Sequence, residues 1–303
     1  MFLDNLEYRD YIDLSRLIHR SDLSRFRDVD LIVGIPRSGM VPAYMIGLIL
    51  DIPVMDIESF VSGVQPYVGN RIHGKVNSIK RVLVVDDSVK FGGQMKKAKD
   101  KLKYLTSIDV FYLSVFATSE SKVFVDHWLE VIDQPRVFQW NLLNSWIYEY
   151  SCVDIDGVLC EDPSEEENDD GEKYLYFLEN AVPKYLPPCK VGVLVTSRLE
   201  KYRFQTEAWL EQNKVKYDYL EMLDLPDKET RVKLGIHASF KSKIYQQYEK
   251  SSLFIESSLS QSERIHYQTG KHVFCVENMT FYNRRVDNKK DIISRIWGLL
   301  KKG

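Results

Sequence analysis

The chain has 303 residues, of which 44% are apolar and 28% are charged, a composition typical of globular proteins rather than of disordered chains. A length about twice that of a usual domain predicts two domains. The formal charge of −3 indicates neither nucleic-acid binding nor attraction to an anionic membrane. No apolar run has membrane-spanning length, and the charged first residues predict no signal peptide. The four cysteines lack paired spacing and neighbouring histidines, which argues against zinc and disulfides and indicates a cytoplasmic protein.

Short β-branched runs alternate with helical patterns, which predicts an α/β fold with mostly parallel sheets flanked by helices. In the first half, strands are predicted at residues 31–35, 82–85 and 110–116, with helices at 41–50 and 93–105. In the second half, strands are predicted at residues 150–155, 191–195, 253–255 and 272–276. Because the series restarts after the aromatic stretch 138–148, we predict two Rossmann-like domains, residues 1–147 and 148–303.

The most informative segment of the first half runs from Arg81 to Gln94 and joins a strand, an acidic pair, a glycine turn and a helix start. A glycine loop that opens a helix presents backbone N–H groups to a phosphate. Asp86 and Asp87 would repel that phosphate unless they bind hydroxyl groups, so the pattern indicates a sugar phosphate with a diol. The alternative is that the two aspartates only cap the next helix.

A second loop, residues 34–39, also follows a buried strand and precedes a helix. Arg37 supplies a cation, and the turn supplies N–H donors suited to a pyrophosphate. The alternative is a Pro-Gly turn that carries a surface arginine.

These two loops, in this order, resemble the pyrophosphate loop and the phosphoribosyl pyrophosphate (PRPP) loop of type I phosphoribosyltransferases, over about residues 1–145. The resemblance implies that Asp86 and Asp87 bind the ribose hydroxyls and take part in catalysis. The remaining PRPP contacts that it implies are Ile35, Pro36, Arg37, Ser38, Gly39, Ser88, Val89, Lys90, Phe91, Gly92, Gly93 and Gln94. In this family a mobile loop closes over the site, and residues 65–80, with Arg71, have a suitable composition.

The PRPP loop departs from the family pattern at three positions. The usual threonines beside the glycine are replaced by Lys90, Phe91 and Gln94. Backbone N–H groups, Ser88 and the charge of Lys90 remain for the phosphate. PRPP binding is therefore still expected, but not a close relation to the nucleotide-salvage enzymes.

In the second half, Asp154 and Asp156 follow a predicted buried strand, and Gly157 comes next. Such a pair suits phosphoryl transfer, because one aspartate can attack phosphorus while the other moves protons. A magnesium ion would neutralise the converging negative charges. The alternative is a chance Asp-x-Asp sequence.

Three further elements follow in order. They are a strand that ends in Thr196 and Ser197, a helix that carries Lys241 and Lys243, and a strand that ends in Glu256. Together with the aspartate pair, they resemble the four motifs of the haloacid dehalogenase (HAD) superfamily, over nearly the whole second half.

The HAD resemblance assigns a role to each position. It implies that Asp154 is the nucleophile, Asp156 the general acid and base, Thr196 the hydroxyl that binds the phosphoryl group, and Lys241, rather than its neighbour two residues on, the stabilising lysine. It also implies that Asp154, Asp156 and Glu256 hold Mg²⁺. The family usually has an aspartate pair in its fourth motif, where this chain has the single acid Glu256.

The segment between the first two HAD motifs is short and partly acidic. This length predicts a minimal cap and an open site, which could accept a phosphate carried by a large molecule. Residues 161–172 are too polar for a core, so we interpret them as a solvated loop.

Together, the resemblances imply a bifunctional enzyme that moves a 5-phosphoribosyl group from PRPP to an acceptor and then removes the 5-phosphate. The architecture is similar to fusions associated with ribofuranose in bacterial surface polysaccharides, which implies a glycan hydroxyl acceptor and, by inversion, a β-ribofuranoside. The acceptor could be lipid-linked at the inner face of the membrane. The amphipathic residues 291–301 could touch that surface or pack on their own domain.

Two alternatives stay open. One is a nucleobase phosphoribosyltransferase with nucleotidase action, and the other is a PRPP-sensing module that regulates the phosphatase.

Overall fold

The computed structural model describes residues 5–66 and 79–283. The chain divides into an N-terminal unit, Leu6–Leu142, and a C-terminal unit that begins at Leu143. Arg71, most of the predicted 65–80 loop and the amphipathic stretch 291–301 lie outside the described residues. None of the helices in the described residues is both long enough and apolar enough to span a membrane.

The N-terminal unit is built around one parallel sheet. Its strands are β1 (Glu7–Arg9), β2 (Leu31–Gly34), β3 (Val54–Asp56), β4 (Arg81–Val89), β5 (Asp109–Ala117), β6 (His127–Val131) and β7 (Arg136–Phe138). Five of them pair in parallel in the order β3-β2-β4-β5-β6, and β1 pairs with β7 in a separate parallel ladder. The carboxyl ends of the neighbours β2 and β4 therefore lie at the same edge of the sheet.

Helices cover both faces of this sheet. They are α1 (Tyr11–Arg20), α2 (Met40–Leu50), α3 (Ile57–Val61), α4 (Gly93–Leu102) and α5 (Gln139–Leu142). Leu83 and Val85 of β4 pack in one core with α1 and α2, whereas Val82 and Val84 pack in a second core with α3 and α4. Because both faces are buried, β4 reads in the sequence as a continuous apolar run.

The C-terminal unit has a sheet of its own. Its strands are β8 (Ser151–Val153), β9 (Val191–Leu199), β10 (Tyr217–Leu223), β11 (Leu253–Glu256), β12 (His272–Cys275) and β13 (Thr280–Tyr282). Their order is β10-β9-β8-β11-β12-β13, and the pairs are parallel except that β13 runs antiparallel to β12. The helices are α6 (Glu172–Asn180), α7 (Arg203–Gln212), α8 (Lys228–Leu234), α9 (His237–Gln247) and α10 (Leu259–Thr269).

The predicted α/β class and parallel sheets are confirmed, and each predicted strand is present. The strand β4 is longer than predicted, because Asp86 and Ser88 continue the ladder by pairing with Ser114 and Phe116 of β5. The acidic pair thus lies in the last residues of a strand rather than in the loop after it.

The boundary between the units falls before the predicted one at 147/148. That predicted position lies inside a short 3₁₀ helix, Trp146–Tyr150. Ile147 in this helix is buried, and its carbonyl accepts a hydrogen bond of 2.7 Å from the hydroxyl of Ser151 at the start of β8. The helix therefore belongs to the C-terminal unit.

Candidate active sites

The two predicted PRPP loops come together at the carboxyl edge of the N-terminal sheet. Ile35 N–H donates to the Val85 carbonyl at 2.9 Å, and the Ser38 hydroxyl donates to Asp87 Oδ1 at 2.9 Å. Gly39 has no room for a side chain, because a Cβ there would lie 2.9 Å from Asp86 Oδ1. The loop after β2 thus sits directly against the acidic pair of β4.

Asp87 is held by side chains of a third element. Trp140 Nε1 donates to Asp87 Oδ2 at 2.7 Å, and Asn141 Nδ2 lies 3.5 Å from the same oxygen. The Trp140 ring stacks on Phe138, with 4.9 Å between the ring centroids. The sequence reading missed Trp140 and Asn141 because it treated the aromatic stretch 138–148 as a boundary region. Asp87 is 3% exposed. Both of its carboxylate oxygens accept hydrogen bonds from the protein, one from Ser38 and the other from Trp140.

Asp86 has a different environment from its neighbour. The Asp87 N–H donates to Asp86 Oδ1 at 3.0 Å. Burial raises the pKa of Asp86 well above its ordinary value, and the adjacent charge of Asp87 raises it further. A ligand hydroxyl that donated to this carboxylate would stabilise its charged form.

A buried arginine, Arg136, holds the end of β4 in place. Arg136 donates to the Val89 carbonyl at 2.8 Å and to the Ile132 carbonyl at 2.5 Å, and the Ser121 hydroxyl also donates to Val89 at 2.8 Å. Burial lowers the pKa of Arg136 to about 10, against the opposing charges of nearby aspartates. These bonds set the position from which the predicted phosphate loop begins.

The remaining predicted PRPP contacts divide by exposure. Pro36, Arg37, Lys90, Phe91, Gly93 and Gln94 are exposed, Ser88 is half-buried, and Val89 and Gly92 are buried. Gly92 has a φ of +71°, and a Cβ there would lie 2.4 Å from the Phe124 ring, so this position requires glycine. Phe91 is 79% exposed, and the ammonium group of Lys90 lies over its ring.

The C-terminal site is a cavity of about 650 Å³ at the carboxyl ends of β8, β9 and β11. At its floor, Lys241 Nζ of α9 lies 2.6 Å from Asp154 Oδ2 and 2.7 Å from Glu256 Oε2. Three of the positions that the sequence singled out, which are far apart along the chain, thus form one contact cluster. Lys241 is 1% exposed, so its charge is shared between two buried carboxylates.

Burial and neighbouring charges shift the pKa values of the groups in this cluster in opposite directions. Burial raises the pKa of Asp154 well above its ordinary value, the charge of Lys241 lowers it, and the charges of Glu256 and Asp156 raise it again. Burial opposes the charge on Lys241 as well, but the two carboxylates outweigh it and raise the lysine pKa. Lys241 therefore stays charged and offsets part of the upward shift of the Asp154 pKa.

Asp156 is positioned by a residue that the sequence reading missed. The buried Arg198 places Nη2 at 2.6 Å and Nε at 3.1 Å from Asp156 Oδ1. Arg198 also donates to Cys160 Sγ at 3.4 Å. The guanidinium thus fixes the orientation of the Asp156 side chain at the cavity wall.

Of the two neighbouring residues, Ser197 lines the cavity and Thr196 does not. Thr196 is fully buried, and its Oγ1 accepts a hydrogen bond from the Arg198 N–H at 3.1 Å. Successive side chains of a strand point to opposite faces, so only one of the two can face the cavity. The assignment of Thr196 to the phosphoryl group stays a prediction. The cavity lining favours Ser197 as the alternative, and its Oγ is buried without a hydrogen-bond partner among the described residues.

The acidic segment 161–172 is not simply a solvated loop. Its residues Asp162, Pro163 and Asn168 line the cavity. Asp170 anchors the segment, because it accepts hydrogen bonds from the Tyr202 hydroxyl at 2.7 Å and from Lys201 Nζ at 2.9 Å. The segment thus contributes to the wall of the cavity.

The oxygen atoms at the cavity floor suit a magnesium ion in kind. Asp154 offers a carboxylate, and the Asp156 carbonyl, which accepts from the Ser257 hydroxyl at 3.2 Å, offers a second oxygen. Glu256 is fully buried, and its oxygens accept from Lys241 and from the Ser257 and Ser258 N–H groups. Oxygen ligands of this type are the ones that Mg²⁺ prefers. The Asp156 carboxylate faces Arg198 instead, and the part of the chain that the structure describes has no group of three His, Cys, Asp or Glu side chains arranged to hold a metal ion.

Comparison with known proteins gives partial overlaps. No family model and no curated protein matches the chain. A purine phosphoribosyltransferase from Pyrococcus horikoshii is 23% identical over 45% of this chain and 94% of its own, with a TM-score of 0.34. The xanthine-guanine-hypoxanthine phosphoribosyltransferase of Helicobacter pylori is 18% identical over 46% and 93%, with a TM-score of 0.36. A structure described as a Pnkp1/Rnl/Hen1 complex is 15% identical over 90% and 87%, with a TM-score of 0.28. Overlaps this weak identify no activity, so function must be inferred from the residues of the two sites.

Proposed function

We propose that the chain transfers a 5-phosphoribosyl group from PRPP to a sugar hydroxyl and then hydrolyses the 5-phosphate of the product. The observation that carries this proposal is the presence, in one chain, of two carboxylate-centred sites at the carboxyl edges of parallel sheets. One site pairs Asp86 and Asp87 with a glycine loop, and the other sets Asp154 and Lys241 in the lining of a cavity, with the buried Glu256 paired to Lys241.

The first site supports the binding of PRPP. Asp86 and Asp87 accept hydrogen bonds from the two ribose hydroxyls, while the N–H groups at the start of α4 face the 5-phosphate. Ser38 and Gly39 belong to the loop that would receive the pyrophosphate. The acceptor oxygen bonds to C1 as the bond to pyrophosphate breaks. Attack from the opposite side inverts the α-linked donor and gives a β-ribofuranoside.

The second site supports removal of the phosphate. Asp154 attacks phosphorus to form an aspartyl phosphate, and Asp156 protonates the departing 5-oxygen and later activates water. Ser197 donates to the phosphoryl oxygens. Asp154, Glu256 and the Asp156 carbonyl are the groups that would hold Mg²⁺, which would supply positive charge for the phosphoryl group.

The pairing of the two reactions favours a sugar acceptor. With a nucleobase acceptor, loss of the 5-phosphate would undo what salvage achieves. With a sugar hydroxyl, it yields a ribofuranoside whose formation is hard to reverse. The sequence resemblance to ribofuranose-forming fusions points the same way, and a lipid-linked glycan at the inner face of the membrane is included in this proposal.

The test is incubation with PRPP, Mg²⁺ and a panel of glycan acceptors and free nucleobases, followed by mass spectrometry of the products. We expect an added ribosyl group on a glycan and release of both pyrophosphate and phosphate. Nucleoside formation from a free base would instead support the nucleotide-metabolism alternative.

A second candidate function rests on the PRPP loop, in which Lys90, Phe91 and Gln94 replace the usual threonines. Fewer hydroxyl donors to the phosphate favour a module that senses PRPP and regulates the phosphatase. In that case PRPP should change the rate of phosphate release without any release of pyrophosphate. Pyrophosphate release with any acceptor would argue against this alternative.

A further inference from the structure

Arg231 lines the cavity of the C-terminal unit, although no motif includes it. It lies on α8 and is 8% exposed. Its Nη1 donates to the Ser197 carbonyl at 2.9 Å, and its Nη2 lies 3.4 Å from Asn168 Oδ1. Its Nε is buried without a hydrogen-bond partner.

In the described part of the chain, the other cations of the cavity have carboxylate partners, whereas Arg231 has none. Lys241 pairs with Asp154 and Glu256, and Arg198 pairs with Asp156. At the rim, Lys184 pairs with Glu161 at 3.4 Å. Within the described residues, Arg231 contacts neutral oxygens and forms no ion pair with a carboxylate.

A buried cation that has hydrogen-bond acceptors but no carboxylate partner is costly to retain, which suggests that it binds an anion. Guanidinium groups suit oxyanions, because their N–H donors match two oxygens at once. The unpartnered Ser197 hydroxyl belongs to the residue whose carbonyl Arg231 contacts. A cation and a hydroxyl donor therefore stand together at the wall of one cavity.

We propose that Arg231 and Ser197 bind the phosphoryl group of the substrate. Arg231 supplies the positive charge for this group, because the charge of Lys241 is already paired with two carboxylates. This deepens the proposed phosphatase function and rests on it for the identity of the substrate. The binding itself can be measured with inorganic phosphate and requires no turnover.

The test compares thermal unfolding with and without inorganic phosphate for the wild type and for Arg231→Gln. Phosphate should stabilise the wild-type protein, because a ligand that binds only the folded state raises its melting temperature. In Arg231→Gln the phosphate affinity should fall about 10- to 100-fold, the usual effect of losing a charged hydrogen-bond donor. The control is Arg203→Gln on α7, which removes an arginine paired with Glu200 and Glu207 and should leave phosphate binding unchanged.

A second variant keeps the test valid if Arg231→Gln unfolds. Asn168→Asp has nearly the same shape and places a carboxylate beside Arg231, where it would act as an internal counter-ion. It should preserve folding and still lower the affinity for phosphate. Phosphate binding that is absent from the wild type, or equal in the wild type and both variants, would overturn the inference.

The failure of this inference is distinguishable from that of the proposed function. If phosphate binds through Arg231 but no phosphomonoester is hydrolysed, the inference about phosphate binding is supported and the proposed phosphatase function is rejected. If phosphomonoesters are hydrolysed and Arg231→Gln binds phosphate normally, the phosphatase function is supported and the inference about Arg231 is rejected.

Discussion

Asp86 makes a distinct contribution to the pH dependence of the stability of the N-terminal unit. Because the pKa of Asp86 is raised, first by burial and then by Asp87, the folded unit binds this proton more tightly than the unfolded chain does. The stabilisation by Asp86 is therefore fully present below the ordinary aspartate pKa of about 3.9. It is lost as the pH rises through the raised pKa.

Asp86→Asn should raise the free energy of unfolding of the N-terminal unit at neutral pH by at least about 1 kcal/mol, since it removes a buried charge. The amide oxygen can still accept the hydrogen bond from the Asp87 N–H. Hydrogen exchange of the β2, β4 and β5 amides over a range of pH measures the effect. The variant should show a flatter pH dependence than the wild type, and an unchanged slope would contradict the assignment.

The shared lysine of the second site allows a sharper comparison. Lys241→Met should destabilise the C-terminal unit by about 3–5 kcal/mol, because Asp154 and Glu256 would remain buried without their counter-ion. It should also abolish phosphate release. Lys243→Met is the matched control, since Lys243 lies on the same helix and is exposed. Urea unfolding and a phosphatase assay measure both variants, and similar losses in the two would count against the role of Lys241.

At the scale of the elements, the pleat of β9 places Ser197 rather than Thr196 in the lining of the cavity. Ser197→Ala should lower phosphate release at least about 10-fold, the usual cost of a lost hydrogen bond to a charged group, while the fold stays stable. Thr196→Ala should act mainly on stability, because Thr196 is fully buried and accepts from the Arg198 N–H. Activity and melting temperature of the two variants test this, and the opposite pattern would support Thr196 as the phosphoryl-binding residue.

The sequence predicts those features of the elements that depend on local patterns. The strands could be predicted because burial on both faces leaves continuous apolar runs, as in β4. The proximity of Asp154 and Glu256 follows from parallel strands whose carboxyl ends share one edge, and Lys241 contacts both from α9. The side of β9 on which Ser197 lies could not be predicted, because the pattern at the end of the strand is compatible with either register.

Sequence analysis missed several residues because each of them contacts a residue that is far away along the chain. Arg198 meets Asp156 across 42 positions, Arg231 meets Ser197 across 34, and Trp140 meets Asp87 across 53. No short motif encodes such contacts. The acidic segment was misread for the same reason, since Asp170 is anchored by Lys201 and Tyr202, about thirty positions downstream.

At the scale of the whole molecule, the proposal assigns the two reactions to separate units. Asp87→Ala should abolish transfer while leaving the hydrolysis of a phosphoribosylated acceptor unchanged, because Asp87 belongs to the N-terminal unit. Release of pyrophosphate and of phosphate can be followed in parallel on the same preparation. Equal loss of both activities in a folded variant would refute this division of labour.

The most direct test of the two-step account is Asp154→Asn in a complete reaction with PRPP, Mg²⁺ and acceptor. The amide keeps the shape of the side chain but is a poor nucleophile, so no aspartyl phosphate can form and hydrolysis should fall by several powers of ten. Transfer should continue, so the acceptor should accumulate with a phosphoribosyl group that is heavier than the wild-type product by one phosphate. An unrelated phosphatase should convert the first product into the second. Formation of unphosphorylated ribosyl product at the normal rate would contradict the account, because Asp154 would then not be the nucleophile.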